Sequence, residues 1–156
     1  MKNTMKLSLP TETSILLERE FAAPRALLWR TLSEPDLVRQ WWGCAEAPMT
    51  RCEIDFRVGG KWRFELSLPD GKIMGQSGEY LEIEKPDRLV NTESMDGYEG
   101  SVHVTYTLVE ANARTTLTCL TECHTAQVRD IIVSSGMESG AARSYDQLEA
   151  LVRSLL

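Results

Sequence analysis

The sequence is poor in the features that mark several large functional classes. It holds only two histidines, His103 and His124, in 156 residues. A hydrolase triad needs a nucleophile, a base and an orienting acid held together, and no Gly-x-Ser-x-Gly or comparable signature accompanies either histidine. His103 also falls out of phase with Val102 and Val104, which puts it on the solvent side of its strand. Positive charge is short: 17 Lys and Arg against 23 Asp and Glu give a net charge of −6. A nucleic-acid partner requires a concentrated basic face, and an anionic membrane surface requires a basic cluster, so neither partner is expected. No apolar run approaches the roughly 18–20 residues that span a bilayer. Residues 1–10 are polar and lack the apolar stretch of a signal peptide, so a cytoplasmic location is expected.

Cysteine is also scarce. Cys44, Cys52, Cys119 and Cys123 form no Cys-x-x-Cys pair, and the reading they favour is reduced, buried thiols with no metal and no cofactor. Cys119, Cys123 and His124 would be the alternative ligand set, but their spacing does not match recognisable zinc motifs. Gly59-Gly60-Lys61 lacks the longer glycine pattern and the following Ser or Thr of a phosphate loop. It joins two alternating segments, and therefore reads as a hairpin turn.

Against these absences stands strong periodicity. Hydrophobic residues make up 42% and charged residues 26%, ordinary for a globular chain, and the length suits one domain over residues 1–156. A domain of this size buries roughly 70% of its unfolded surface, enough for a core without staples. Residues 12–21 read as a strand. Pro24 opens a short helix over 25–32, and Pro35, capped by Ser33 or Glu34, opens a second that runs to about Trp41 and ends at Gly43. Period-two alternation then marks strands at 52–58, 62–68, 73–84, 89–95, 102–108 and 115–123, with a bulge or bend expected at Gly78. Short turns between them imply an antiparallel meander. After His124 the period changes. Thr125 caps a short helix over 126–134, and Met137, Ala141, Tyr145, Leu148, Leu151, Val152 and Leu155 recur at spacings of three and four over a helix of about five turns, 136–155. The fold class is α+β: a curved antiparallel sheet of about six to seven strands, two short helices after the first strand, and a long C-terminal helix over the sheet.

Several motifs carry a resemblance. They are Phe21-Ala22-Ala23-Pro24 with Leu28-Trp29; Glu34-Pro35; Trp41-Trp42-Gly43; Val58-Gly59-Gly60-Lys61-Trp62-Arg63-Phe64; Pro69-Asp70-Gly71; Gly78-Glu79-Tyr80; Pro86-Asp87-Arg88-Leu89; and Ser135-Gly136-Met137 with Ser144-Tyr145-Asp146-Gln147-Leu148. In this order, over about Thr13 to Leu155, the chain resembles the activator-of-heat-shock-protein-90-ATPase homologue family within the START-like (SRPBCC, helix-grip) superfamily. The resemblance implies a C-terminal helix gripped by a curved sheet, with a cavity between them. The lining it suggests is Trp41, Trp42, Phe56, Trp62, Phe64, Tyr80, Tyr106, Met137, Ala141, Tyr145 and Leu148. The same residues also suit a plain core, because in this architecture the inner sheet face and the pocket wall are one surface. Trp41 and Trp42 can likewise be a gate, or one core residue and its cover.

The family shares no catalytic set to carry over. The expected function is binding of a small apolar or amphipathic ligand. A cyclase- or hydrolase-type enzyme using the same cavity is the alternative, and a chaperone-interaction module is the third. The namesake's additional large N-terminal domain has no counterpart in the dozen or so residues before the first strand here, which weighs against a chaperone partner. A homodimer formed through an exposed apolar patch stays open. Glu65, Glu79, Glu93 and Glu122 are strand carboxylates expected mostly on the solvated face, and any that point inward would have a raised pKa and could act as acid or base.

Overall fold

The structure, a computed structural model, describes residues 5–43 and 46–156; Cys44 lies outside the described residues. Its elements are β1 (Lys6–Ser8), β2 (Ser14–Phe21), α1 (Arg25–Ser33), α2 (Pro35–Val38), β3 (Met49–Ile54), β4 (Lys61–Ser67), β5 (Ile73–Glu84), β6 (Arg88–Met95), β7 (Val102–Ala111), β8 (Arg114–Glu122), α3 (Ala126–Ser134) and α4 (Met137–Ser154). The strands form one open sheet in the order β1-β2-β8-β7-β6-β5-β4-β3, every neighbour antiparallel. β3 to β8 is the expected meander. β2 joins it by pairing with β8, and α1 and α2 fill the crossover between β2 and β3.

Among the described residues eight strands form, against the expected six to seven. The extra strand is β1, whose three residues pair with β2 around Leu7↔Leu17. Three residues are too few to show alternation, so only the neighbour reveals the strand. β3 also differs: it runs Met49–Ile54 rather than 52–58. Phe56 and Val58 continue the apolar alternation but lie in a looped connection held by Asp55 N–H to Lys61 C=O at 3.0 Å and Gly60 N–H to Arg57 C=O at 2.8 Å. A Cβ on Gly60 would sit 2.0 Å from the Asp55 carbonyl oxygen, so the loop closes this tightly only with glycine there. Val58 is consequently exposed. In β5, the register irregularity falls at Tyr80/Glu82 rather than at Gly78. Gly78 serves a close approach instead: a Cβ there would stand 1.9 Å from the Thr92 carbonyl oxygen and 2.6 Å from Trp62 Nε1.

Helix boundaries follow local chemistry. Pro35 occupies the first turn of α2, and Thr125 caps α3 by accepting from Val128 N–H at 3.1 Å. α2 is shorter than expected and passes at Val38 into turns that carry Trp41 and Trp42. α4 buries Tyr145, Leu148, Leu151 and Val152 on one stripe, in one core cluster with Ile15, Phe21, Leu28, Leu117 and Val104. That cluster lies on the inner face of the sheet, beneath α1, α2 and α4. No helix among the described residues is long and apolar enough to cross a membrane.

Candidate functional site

The inner face contains a narrow cavity of about 30 Å³. It is lined by Leu32, Val38, Trp41, Trp42, Trp62, Phe64, Tyr80, Leu89, Asn91, Glu93 and Tyr106. Strand alternation builds the walls. Trp62 and Phe64 face inward from β4 and Tyr80 from β5, Leu89, Asn91 and Glu93 from β6, and Tyr106 from β7, while the turns after α2 bring in Trp41 and Trp42. Space of this size holds about two waters, far less than the roughly 300–1,000 Å³ of a pocket for a drug-sized molecule.

A series of aromatic rings crosses the interior beside the cavity. Phe21 meets Tyr145 edge-on at 6.0 Å between centroids, and Tyr145 meets Trp41 at 6.1 Å. Trp41 then meets Trp42 at 5.4 Å, Trp42 meets Phe64 at 5.2 Å and Phe64 meets Trp62 at 4.6 Å. The series runs from β2 across the cavity to β4. Trp41 is buried, with its Nε1–H donating to Thr31 C=O at 2.9 Å. Trp42 is half-buried and donates from Nε1 to Gln76 Oε1 at 3.0 Å. One tryptophan thus packs in the core and the other covers it.

Of the residues expected to line a pocket, Trp41, Trp42, Trp62, Phe64, Tyr80 and Tyr106 meet around this cavity. Phe56 stands behind it, between Trp29 and Tyr80. Tyr145 and Leu148 are buried under α4 beside the cavity, and Met137 and Ala141 are half-buried at the start of that helix. α4 also clasps the turn that carries the tryptophans. Gln147 Nε2 donates to Trp41 C=O at 2.8 Å and to Gly43 C=O at 2.7 Å, and Ser144 Oγ donates to Gly43 C=O at 2.9 Å.

The polar side of the cavity is the part that hydrophobic patterning does not reveal. Gln76 Nε2 approaches Glu93 Oε1 at 3.4 Å, so Trp42, Gln76 and Glu93 form a chain of donors and acceptors. Glu93 is half-buried and lines the cavity. Burial pushes its carboxyl up to about 7. Burial likewise raises Tyr106 and Tyr145 and pushes the Cys119 thiol up to about 12, with both hydroxyls facing that thiol. A signal for Glu93 was present: it lies four residues after Leu89 and shares its face.

The other strand carboxylates are external. Glu65 pairs with Arg51 and Arg63, Glu79 pairs with Lys61 at 3.0 Å, and Glu122 accepts from His124 N–H at 2.8 Å. His103 Nδ1 and His124 Nε2 meet at 2.9 Å on the outer face, away from the cavity. Cys119 and Cys123 are buried free thiols, and among the described residues no group of three or more His, Cys, Asp or Glu is arranged to hold a metal.

Comparison with known proteins agrees with this architecture. A crystal structure of a protein from Rhodobacter sphaeroides superposes with a TM-score of 0.92 at 27% identity, covering 97% of this chain and 99% of that one. One from Nitrosomonas europaea gives a TM-score of 0.85 at 26% identity, covering 94% and 97%. One from Mycobacterium smegmatis gives 0.85 at 23%, covering 97% of each chain, a likeness of fold alone. No curated protein matches the sequence. The model of the Activator of Hsp90 ATPase homolog 1-like protein family matches residues 22–153. That span takes in α1, the cavity walls and nearly all of α4, and the chain belongs to this family.

Proposed function

We propose that the protein binds a small molecule with an apolar body and a polar end in the cavity between the sheet and the α1–α2 segment with its Trp41–Trp42 turn, rather than directly under the C-terminal helix. The observation that carries this reading is the combination of aromatic walls with Asn91, Glu93 and Tyr106 converging on one side, the composition of a small-molecule site. At about 30 Å³ the space admits only the end of such a ligand. The body enters as Trp42, the half-buried ring, swings outward. Native mass spectrometry of gently purified protein tests the reading. A retained small-molecule mass, or a higher melting temperature with aromatic fragments, supports it; no retained mass and no stabilisation by any fragment contradicts it.

The same polar group favours a second reading, an enzyme in which Glu93 takes up and returns a proton near neutral pH. It predicts that Glu93→Gln abolishes turnover of a bound substrate while binding persists. The family description supports a chaperone-interaction module only by association, and stimulation of a chaperone ATPase by the purified chain is its test.

A further inference from the structure

We propose that the polar end of the ligand is an ammonium group, with Glu93 as its counter-ion and the surrounding aromatic rings as its cage. This rests on the small-molecule reading above and specifies the ligand's charge. The first observation is the isolation of Glu93. Its hydrogen-bond partner is Gln76 Nε2 at a long 3.4 Å, and no Lys or Arg among the described residues pairs with it. The carboxylates of the outer face are arranged otherwise. Asp96 holds Arg63 at 2.6 Å, and Glu65 and Glu79 have their own cations. The buried cation of the inner face, Arg19, is committed to Asp146 of α4 at 2.8 Å. A carboxylate on the inner face with no internal cation leaves a place for one that arrives from outside.

The second observation is the wall. Trp42, Trp62, Phe64, Tyr80 and Tyr106 surround the cavity. Aromatic faces carry negative potential, which disfavours an anion and attracts a desolvated cation. The titratable groups that face Glu93 are Tyr106 from β7 and Cys119 from β8. Tyr145 of α4 faces Cys119, and Trp42 and Gln76 complete the surroundings from the α2 turn and β5. All of these are neutral near pH 7, so no neighbour supplies positive charge. Trp62 Nε1 lies against Gly78 of β5. At longer range, the net charge of −6 favours the approach of a cation.

A matched pair of probes tests this: benzylammonium and benzyl alcohol, similar in shape and different in charge, titrated calorimetrically into the full chain at pH 8 and pH 5.5. The expected result is benzylammonium binding at least tenfold tighter at pH 8. That advantage narrows at pH 5.5, where Glu93 must first release its proton to the buffer. In Glu93→Gln the tenfold advantage of benzylammonium over benzyl alcohol disappears. If that variant does not fold, the wild-type probe ratio and the proton released per ligand bound decide the matter. Equal affinities, or tighter benzyl alcohol, overturn the ammonium assignment and leave the small-molecule reading standing. Binding of neither probe overturns the ammonium assignment, and the small-molecule reading then stands or falls with the native mass spectrometry.

Discussion

Glu93 concentrates the electrostatic tension of the molecule in one side chain. Its folded pKa, raised to about 7 by burial, stands above the ordinary carboxylate value near 4.5. Between those two values the folded state holds a proton that the unfolded chain has lost, so stability falls as pH rises through that window and levels off above it. At about 1.4 kcal/mol per pH unit of displacement, the loss reaches at most about 3 kcal/mol. Glu93→Gln is expected to flatten the stability profile between pH 5 and 8 and to raise the melting temperature at pH 8. Chemical denaturation across that range measures it, and an unchanged slope in the variant would show that Glu93 is solvated in the folded state. The sequence held half of this information. The spacing from Leu89 places Glu93 inward, but the expectation that charged strand residues face solvent pointed the other way. Only the neighbours contributed by β7 and β8 decide between them.

At the scale of elements, the sheet and helices were legible wherever one period persisted. α4 and the strands from β4 to β8 fall close to where period-two and three-four spacing put them, because each has one buried face, whereas α3 is marked by its Thr125 cap and buries no residue. Reading failed where local geometry overrode pattern. Phe56 and Val58 alternate correctly but belong to the glycine-closed loop, and β1 is too short for any pattern. Gly78 shows the same limit, since its role is set by Thr92 on the neighbouring strand. Gly78→Ala is expected to force β5 from β6 or displace the Trp62 indole, costing about 1–3 kcal/mol as overpacking does. Thermal unfolding, together with the tryptophan fluorescence maximum, reports both effects, and an unperturbed variant would refute the close approach. α4 offers a subtler test. Gln147→Ala removes the donor to Trp41 C=O and Gly43 C=O, so the amides of residues 41–43 should exchange at least several-fold faster than in the wild type while the strands keep their protection.

For the molecule as a whole, the family match and the superposed structures fix the architecture. The resemblance is legible in sequence because several motifs fall in order along the chain, some at turns and helix starts such as Pro24 and Pro35, others inside β4, β5 and α4. The candidate site is only partly legible, since Trp41, Trp42, Trp62, Phe64 and Tyr80 lie within those motifs while Gln76, Asn91 and Glu93 lie outside them. The outer face carries ion pairs such as Arg63–Asp96 and Arg51–Glu53, each exposed and worth little individually. The four tryptophans divide the molecule usefully. Trp42 and Trp62 line the cavity, Trp41 lines it with its Nε1–H tied to Thr31, and Trp29 packs behind Phe56. The most direct test of ligand binding in this cavity is therefore a titration of ¹⁵N-labelled protein with benzylammonium, following the four indole N–H resonances. The account predicts saturable shifts of Trp42 and Trp62, with Trp42 losing the signature of its bond to Gln76, while Trp29 stays in place. Shifts confined to Trp29, or to backbone amides of the outer face, would contradict it.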